Sequence, residues 1–168
     1  MRLQKVLETP VVAQTQDCVI LWRSLTGPLE GVYPFDTLPA FALTYQGFSE
    51  TEFNPQQESY RWSSEPESTL LVPLERGKEY RVTLTVAIPQ NIPVVEIMLN
   101  DYALPSLAFP HEWRWQNFIL SFPAKHIRTM NTLTFRYNFE NPPETYHVTR
   151  HDNSSVAFRM ITFEKIAD

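Results

Sequence analysis

A chain of 168 residues, 43% hydrophobic and 20% charged, is long enough for one well-buried core and short for two, which excludes disorder as its default state. The formal net charge of −5, with basic residues dispersed as singlets, leaves no general field to hold a phosphate backbone, so nucleic acid is excluded as a partner. With 14 Pro, only 4 Gly, and 11 Phe, 7 Tyr and 4 Trp, the composition favours strands joined by rigid turns.

At the start of the chain, Glu8 precedes any adequate apolar stretch, and no apolar run anywhere approaches the roughly 18 residues that cross a bilayer. The expectation is a soluble chain with no direct membrane insertion. Cys18 opens the apolar run through Trp22 and is read as a small buried hydrophobe. Strands are expected at Val19–Trp22 and Ala40–Tyr45, separated by the Pro- and Gly-bearing stretch Thr26–Pro39.

A further strand is expected at Thr69–Leu74. From Tyr80 to Ile88, Tyr80, Val82, Leu84, Val86 and Ile88 alternate with Arg81, Thr83, Thr85 and Ala87, which predicts a strand with one row inside and one outside. Val94–Leu99 is an apolar run broken only by Glu96 and ending at the turn-forming Asn100-Asp101, and Pro105 and Pro110 punctuate the stretch beyond that turn. Trp115–Phe122 reads as a strand, and the best helical candidate is a single turn near Ala124–Thr129.

Leu133, Phe135, Tyr137 and Phe139 alternate again with polar residues. Asn138–Ser155 contains Pro142-Pro143 and reads as a long excursion, with Thr145–Arg150 as a short hairpin arm. In Val156–Ile166 the apolar phase slips from Val156, Phe158 and Met160 to Ile161 and Phe163, which a β-bulge or two-sided burial would explain. Short strands separated by turns at intervals of about ten residues describe a sandwich or barrel.

Trp113 and Trp115 are the most suggestive pair. In a regular strand they lie about 7 Å apart on the face opposite Phe118, Leu120 and Phe122. Two such indoles suit the C–H faces of successive pyranose rings; the alternative is a satellite core covered by the N-terminal segment. Arg61 and Trp62 follow Tyr60, with Glu50, Glu52 and Glu58 close in sequence. An Arg fork matches vicinal hydroxyls, and Glu52 can hold the fork or accept from a hydroxyl, giving a polar binding edge. The alternative is an Arg–Glu pair that pins a long loop, with Trp62 as a core plug.

Catalytic and metal chemistry find little support. Glu50 and Glu52 lie in a polar context that would not raise a general acid's pKa, and no G-x-S-x-G nucleophile elbow is present. His147 and His151 would meet on a helix, but in the extended chain expected there they stand about 13 Å apart. No Asp-rich loop suggests calcium, and no cofactor is expected.

Two blocks carry a likeness. The first is Gly47-Phe48-Ser49 with Glu52, Arg61-Trp62-Ser63 and Thr69–Leu74; the second is Val95–Asn100 with Leu104, Trp115, Phe118-Ile119-Leu120 and Asn131–Phe135. Residues 47–166 thereby resemble a family of bacterial β-sandwich domains attached to membrane glycosyltransferases and other cell-envelope proteins, related in shape to galactose-binding-like jelly rolls. The resemblance implies a non-catalytic jelly-roll-like domain in the cell envelope, with sugar as the ligand class. The chain departs from the pattern with Asp101 after Asn100 instead of Gly, and with Thr129 two residues before Asn131 instead of Gly.

The expectation is therefore one all-β domain over residues 1–168, a jelly-roll-like antiparallel β-sandwich with few or no helices, in which 1–46 is an N-terminal segment and 47–166 the resembling core. Ligand-binding candidates are Trp113, Trp115, Trp62, Arg61 and Glu52. The expected function is glycan binding without catalysis. The alternatives are a structural or protein-interaction module positioning a membrane-associated glycosyltransferase region, and a glycan-cleaving enzyme.

Overall fold

The computed structural model describes residues 11–14, 19–21, 28–35, 44–87, 94–108, 114–138 and 156–167. Among the described residues the structure is all-β, with two main antiparallel sheets that face each other. One has five strands in the order β10-β9-β12-β7-β4: β4 (Thr44–Gln46), β7 (Glu67–Pro73), β9 (Val94–Leu99), β10 (Tyr102–Ala108) and β12 (Met130–Asn138). The other has six, running β11-β8-β13-β6-β5, with β3 also on β13: β3 (Gly31–Pro34), β5 (Glu52–Phe53), β6 (Ser59–Trp62), β8 (Tyr80–Ala87), β11 (Gln116–Phe122) and β13 (Ala157–Lys165). A separate pair, β1 (Val11–Gln14) and β2 (Val19–Leu21), forms a small antiparallel sheet. Ala124–His126 makes one 3-10 turn. Among the described residues no helix is long and apolar enough to cross a membrane.

The two-residue rhythm places the core. Val82, Leu84 and Val86 of β8, Leu120 and Phe122 of β11, and Ile161 and Phe163 of β13 meet Leu70, Val72, Ile97, Leu99, Leu133 and Phe135 from the opposite sheet. Phe158 sits at the centre of this contact, with ring centroids 5.0 Å from Phe135, 5.3 Å from Phe48 and 5.7 Å from Phe35. Each buried large ring or aliphatic chain of this kind contributes roughly 1.5–3 kcal/mol by leaving water.

Several strands depart from the sequence-based expectation for identifiable reasons. The register of β13 shifts between Phe158 and Met160, a bulge, which is one of the two explanations the phase slip left open. β10 runs straight through Pro105 because it is an edge strand whose register on β9 shifts between Leu104 and Leu107, so no ladder bond needs the missing N–H. β3 lies inside the stretch expected to be a connection, and β5 and β6 inside one read only as polar. Of Ala40–Tyr45 only the last two residues are described, and Cys18, Ile88, Thr145–Arg150, His147 and His151 lie outside the described residues.

Asp101 does not disturb its turn, because Asn100 takes the left-handed conformation, with φ 54°. Gly47, between β4 and the aromatic strands, has φ 73°; a Cβ there would meet the Glu67 carbonyl oxygen and come within 2.8 Å of Ser68 Cα. Glycine alone lets the chain pass from one sheet to the other at this point.

Candidate functional site

The alternation in β8 fails towards its end, where Thr85 and Ala87 are buried although they point away from the core. Ala87 pairs with Ala157, and Ala157 with Trp62, so two buried alanines and an indole form one row on the outer face of the six-stranded sheet. Small side chains there let large rings lie flat on the sheet. Trp115 immediately precedes β11, whose Gln116 pairs with Val86, and it approaches the same row from the other side.

Tyr60 joins the two tryptophans. In β6 the odd-numbered Ser59 and Arg61 are buried, while Tyr60 and Trp62 share the half-buried outer face. The Tyr60 ring stands edge-on to Trp62 at 5.5 Å and 88°, and lies 5.9 Å from Trp115 at 58°. Pairs of this geometry each contribute about 0.5–1.5 kcal/mol beyond area burial.

Charged groups hold the rings. Glu52 pairs with Tyr60 across the β5–β6 hairpin, and its Oε2 accepts from Trp62 Nε1 at 3.2 Å and from the Tyr60 hydroxyl at 3.4 Å. Burial, with the nearby Glu52 carboxylate adding to it, raises the Tyr60 pKa above its ordinary value. At the hairpin turn the Asn54 side chain accepts from the backbone N–H groups of Gln56 and Glu58 and donates to Glu58 Oε2 at 2.8 Å. Glu58 Oε1 pairs with Arg159, whose guanidinium lies 5.8 Å from the centre of the Trp115 ring. Arg159 is the residue that the bulge in β13 leaves out of register.

The structure brings together Trp62, Trp115 and Glu52 from the sequence-predicted set. Trp113 lies outside the described residues. Arg61 does not join the group: it is 6% exposed on the inner face of β6, its Nε donating to Thr51 Oγ1 at 3.1 Å and its Nη1 to Thr44 Oγ1 at 3.3 Å. It thus bridges the two sheets at their open edge, because strand alternation forbids neighbours such as Arg61 and Trp62 from facing the same way. Burial lowers the Arg61 pKa, and the Glu50 charge opposes that shift.

Sequence reasoning missed Tyr60, Glu58 and Arg159. Tyr60 was visible as the residue two before Trp62, once that segment is read as a strand. Arg159 had no such signal, since its orientation depends on the bulge. Among the described residues no group of three or more His, Cys, Asp and Glu could hold a metal ion.

The arrangement offers half-exposed aromatic surface edged by two carboxylates and a guanidinium. No family model matches the chain, and neither does any curated protein. Solved structures similar to it include CBM35 from Paenibacillus barcinonensis, at 13% identity and TM-score 0.49 over 82% of this chain and 98% of that one. CsCBM6-3 from Clostridium stercorarium, in complex with cellobiose, is similar at 11% identity and TM-score 0.42 over 73% and 86%. A Podospora anserina GH26-CBM35 β-(1,4)-mannanase is similar at 14% identity and TM-score 0.46 over 83% of this chain but only 29% of that one.

Proposed function

We propose that this chain is a non-catalytic carbohydrate-binding domain whose ligand lies on the Tyr60–Trp62–Trp115 face. The observation that carries this reading is that three rings are gathered on the outer face of a sheet, half-exposed, and braced by Glu52, Glu58 and Arg159. An apolar pyranose face suits such rings, while carboxylate and guanidinium groups at their rim match hydroxyls. Bracing before the ligand arrives lowers the ordering cost of binding. Trp113, two residues before Trp115, is proposed to extend the surface. Arg61 is proposed to act indirectly, by fixing the edge strand that carries Tyr60 and Trp62.

The resemblance of residues 47–166 supports a place in a cell-envelope glycan system, beside a membrane glycosyltransferase. Titration of the full chain with a panel of neutral oligosaccharides, followed by tryptophan fluorescence, tests the proposal. Saturable change that Trp115→Ala abolishes is expected. A flat response across the panel, or one that survives Trp115→Ala and Trp62→Ala, would remove the reading. A protein-docking role is the second reading, favoured by Ile119 and Val32, 69% and 57% exposed, which the strand registers place in one row of the same outer face.

A further inference from the structure

The opposite end of the sandwich holds a cavity of about 760 Å³, formed where the β7–β8 turn, the β9–β10 turn and the segment after β11 converge. Its lining contains Arg76, Lys125 and Arg128 against a single carboxylate, Asp101, although the protein as a whole carries a net charge of −5. Arg128 is already committed, with Nη2 2.7 Å from Asp101 Oδ2. Elsewhere Arg81, Arg136, Arg159 and Lys165 each face a glutamate. Among the described residues, no carboxylate pairs with Arg76 or Lys125. Two uncompensated cations on one concave surface of an acidic protein create a local attraction for anions that falls off over about 10 Å at ordinary salt.

The cavity floor is built rather than fortuitous. Asn131, 1% exposed, donates to the carbonyls of Val72 and Arg128 at 3.0 and 2.6 Å and accepts from Asn100 Nδ2 and Arg128 N at 2.9 and 2.8 Å. Asn100 Nδ2 also donates to the His126 carbonyl at 3.0 Å, and its Oδ1 accepts from Thr132 N at 3.0 Å. Above this network the Tyr102 and His126 rings stack at 3.8 Å and 13°. The His126 Nε2 atom is shielded from solvent, with no hydrogen-bond partner among the described residues. The backbones that present Lys125 and Arg128 are therefore fixed in advance, as a binding site requires.

We propose that this cavity is a second binding site, separate from the aromatic face, for a sugar-sized organic anion bearing a carboxylate, sulfate or phosphate group. Its volume suits a mono- or disaccharide. Arg76 and Lys125 take the anionic group; Tyr102, His126 and Asn100 form the wall beside the remainder. The inference stands whether or not the aromatic face binds neutral glycans.

Titrating the full ¹⁵N-labelled chain with glucuronate, glucose 6-sulfate and glucose 6-phosphate, against glucose, decides the matter by amide shift mapping. At least one charged sugar is expected to move the amides of residues 76, 100–102 and 125–130 saturably, about tenfold more tightly than glucose, and to weaken as salt is added. Arg76→Ala with Lys125→Ala, both exposed positions that leave the floor intact, should weaken binding tenfold or more, while Trp115→Ala leaves it unchanged. Absence of saturation by all three, equal binding of glucose, full retention in the double variant, or an identical response to inorganic phosphate and sulfate would overturn the proposal. A loss on Trp115→Ala alone would do the same, by moving the ligand to the other face.

Discussion

The end of the sandwich formed by the turns at Asn100-Asp101 and Ala124–Thr129 is closed by amides, whereas the region around Trp62 and Trp115 is closed by rings and charges. In the first, Asn131 satisfies every donor and acceptor of its side chain inside the protein. In the second, the groups that brace the rings remain half-exposed, and each keeps capacity for another partner. Amide closure makes a rigid floor whose surface character comes from the cations set on it. Ring closure makes the rings themselves the surface that the proposed ligand would meet. The two ends thus combine buried and available polar groups differently: a buried amide floor that carries exposed cations at one, and rings braced by half-exposed charges at the other.

Removing the amide centre puts this contrast under the greatest strain. Asn131→Ala deletes four side-chain hydrogen bonds, one of them fully buried, so a loss of about 3–4 kcal/mol is expected in urea unfolding. A loss under about 1 kcal/mol would mean that the floor is not held by this residue. The ring end should be more tolerant. Arg159→Ala removes an ion pair whose partners are each about one-third exposed, plus one cation–π contact, for about 1 kcal/mol in the same measurement. A cost equal to that of Asn131→Ala would erase the distinction.

The smallest effect at neutral pH, and the one that separates the two ends by titration, concerns Tyr137. It is buried beside Ser63 and Ser68 at the ring end, and burial raises its pKa far above the ordinary 10.0, with the two serine hydroxyls opposing the shift. The unfolded chain releases this proton near pH 10 while the folded chain holds it, so stability is full below pH 10 and falls as pH rises above it. Tyr137→Phe should flatten that fall, with up to about 1.4 kcal/mol recovered per pH unit. The Asn100 and Asn131 amides do not ionise, so Asn131→Ala should leave the alkaline slope unchanged. Stability curves at pH 8 to 11 check both.

Much of the fold was legible because alternation is a local property. Tyr80–Val86 and Leu133–Tyr137 announce strands without reference to anything distant, and the phase slip in Val156–Ile166 marks an irregularity, a bulge or two-sided burial, between which the sheet register decides. β10 was hidden by Pro105, which is tolerated only because that strand has a free edge, and edge status is settled by the whole sheet. The site was legible in part. Trp62, Trp115 and Glu52 could be named from residue type, but that Arg61 turns inward follows from strand alternation in a segment whose strand character was not recognised.

The layered all-β architecture is written in the residue order itself, since periodic burial acts residue by residue and needs only neighbours two positions apart. Which side chains share a surface was settled by the packed chain alone. Arg159 reaches Trp115 through a bulge, and Arg76 of the β7–β8 turn converges with Lys125 and Arg128 of the segment after β11 because those two segments, distant along the chain, meet at one end. Charge and aromatic contact act through space, and distance along the chain carries no measure of that.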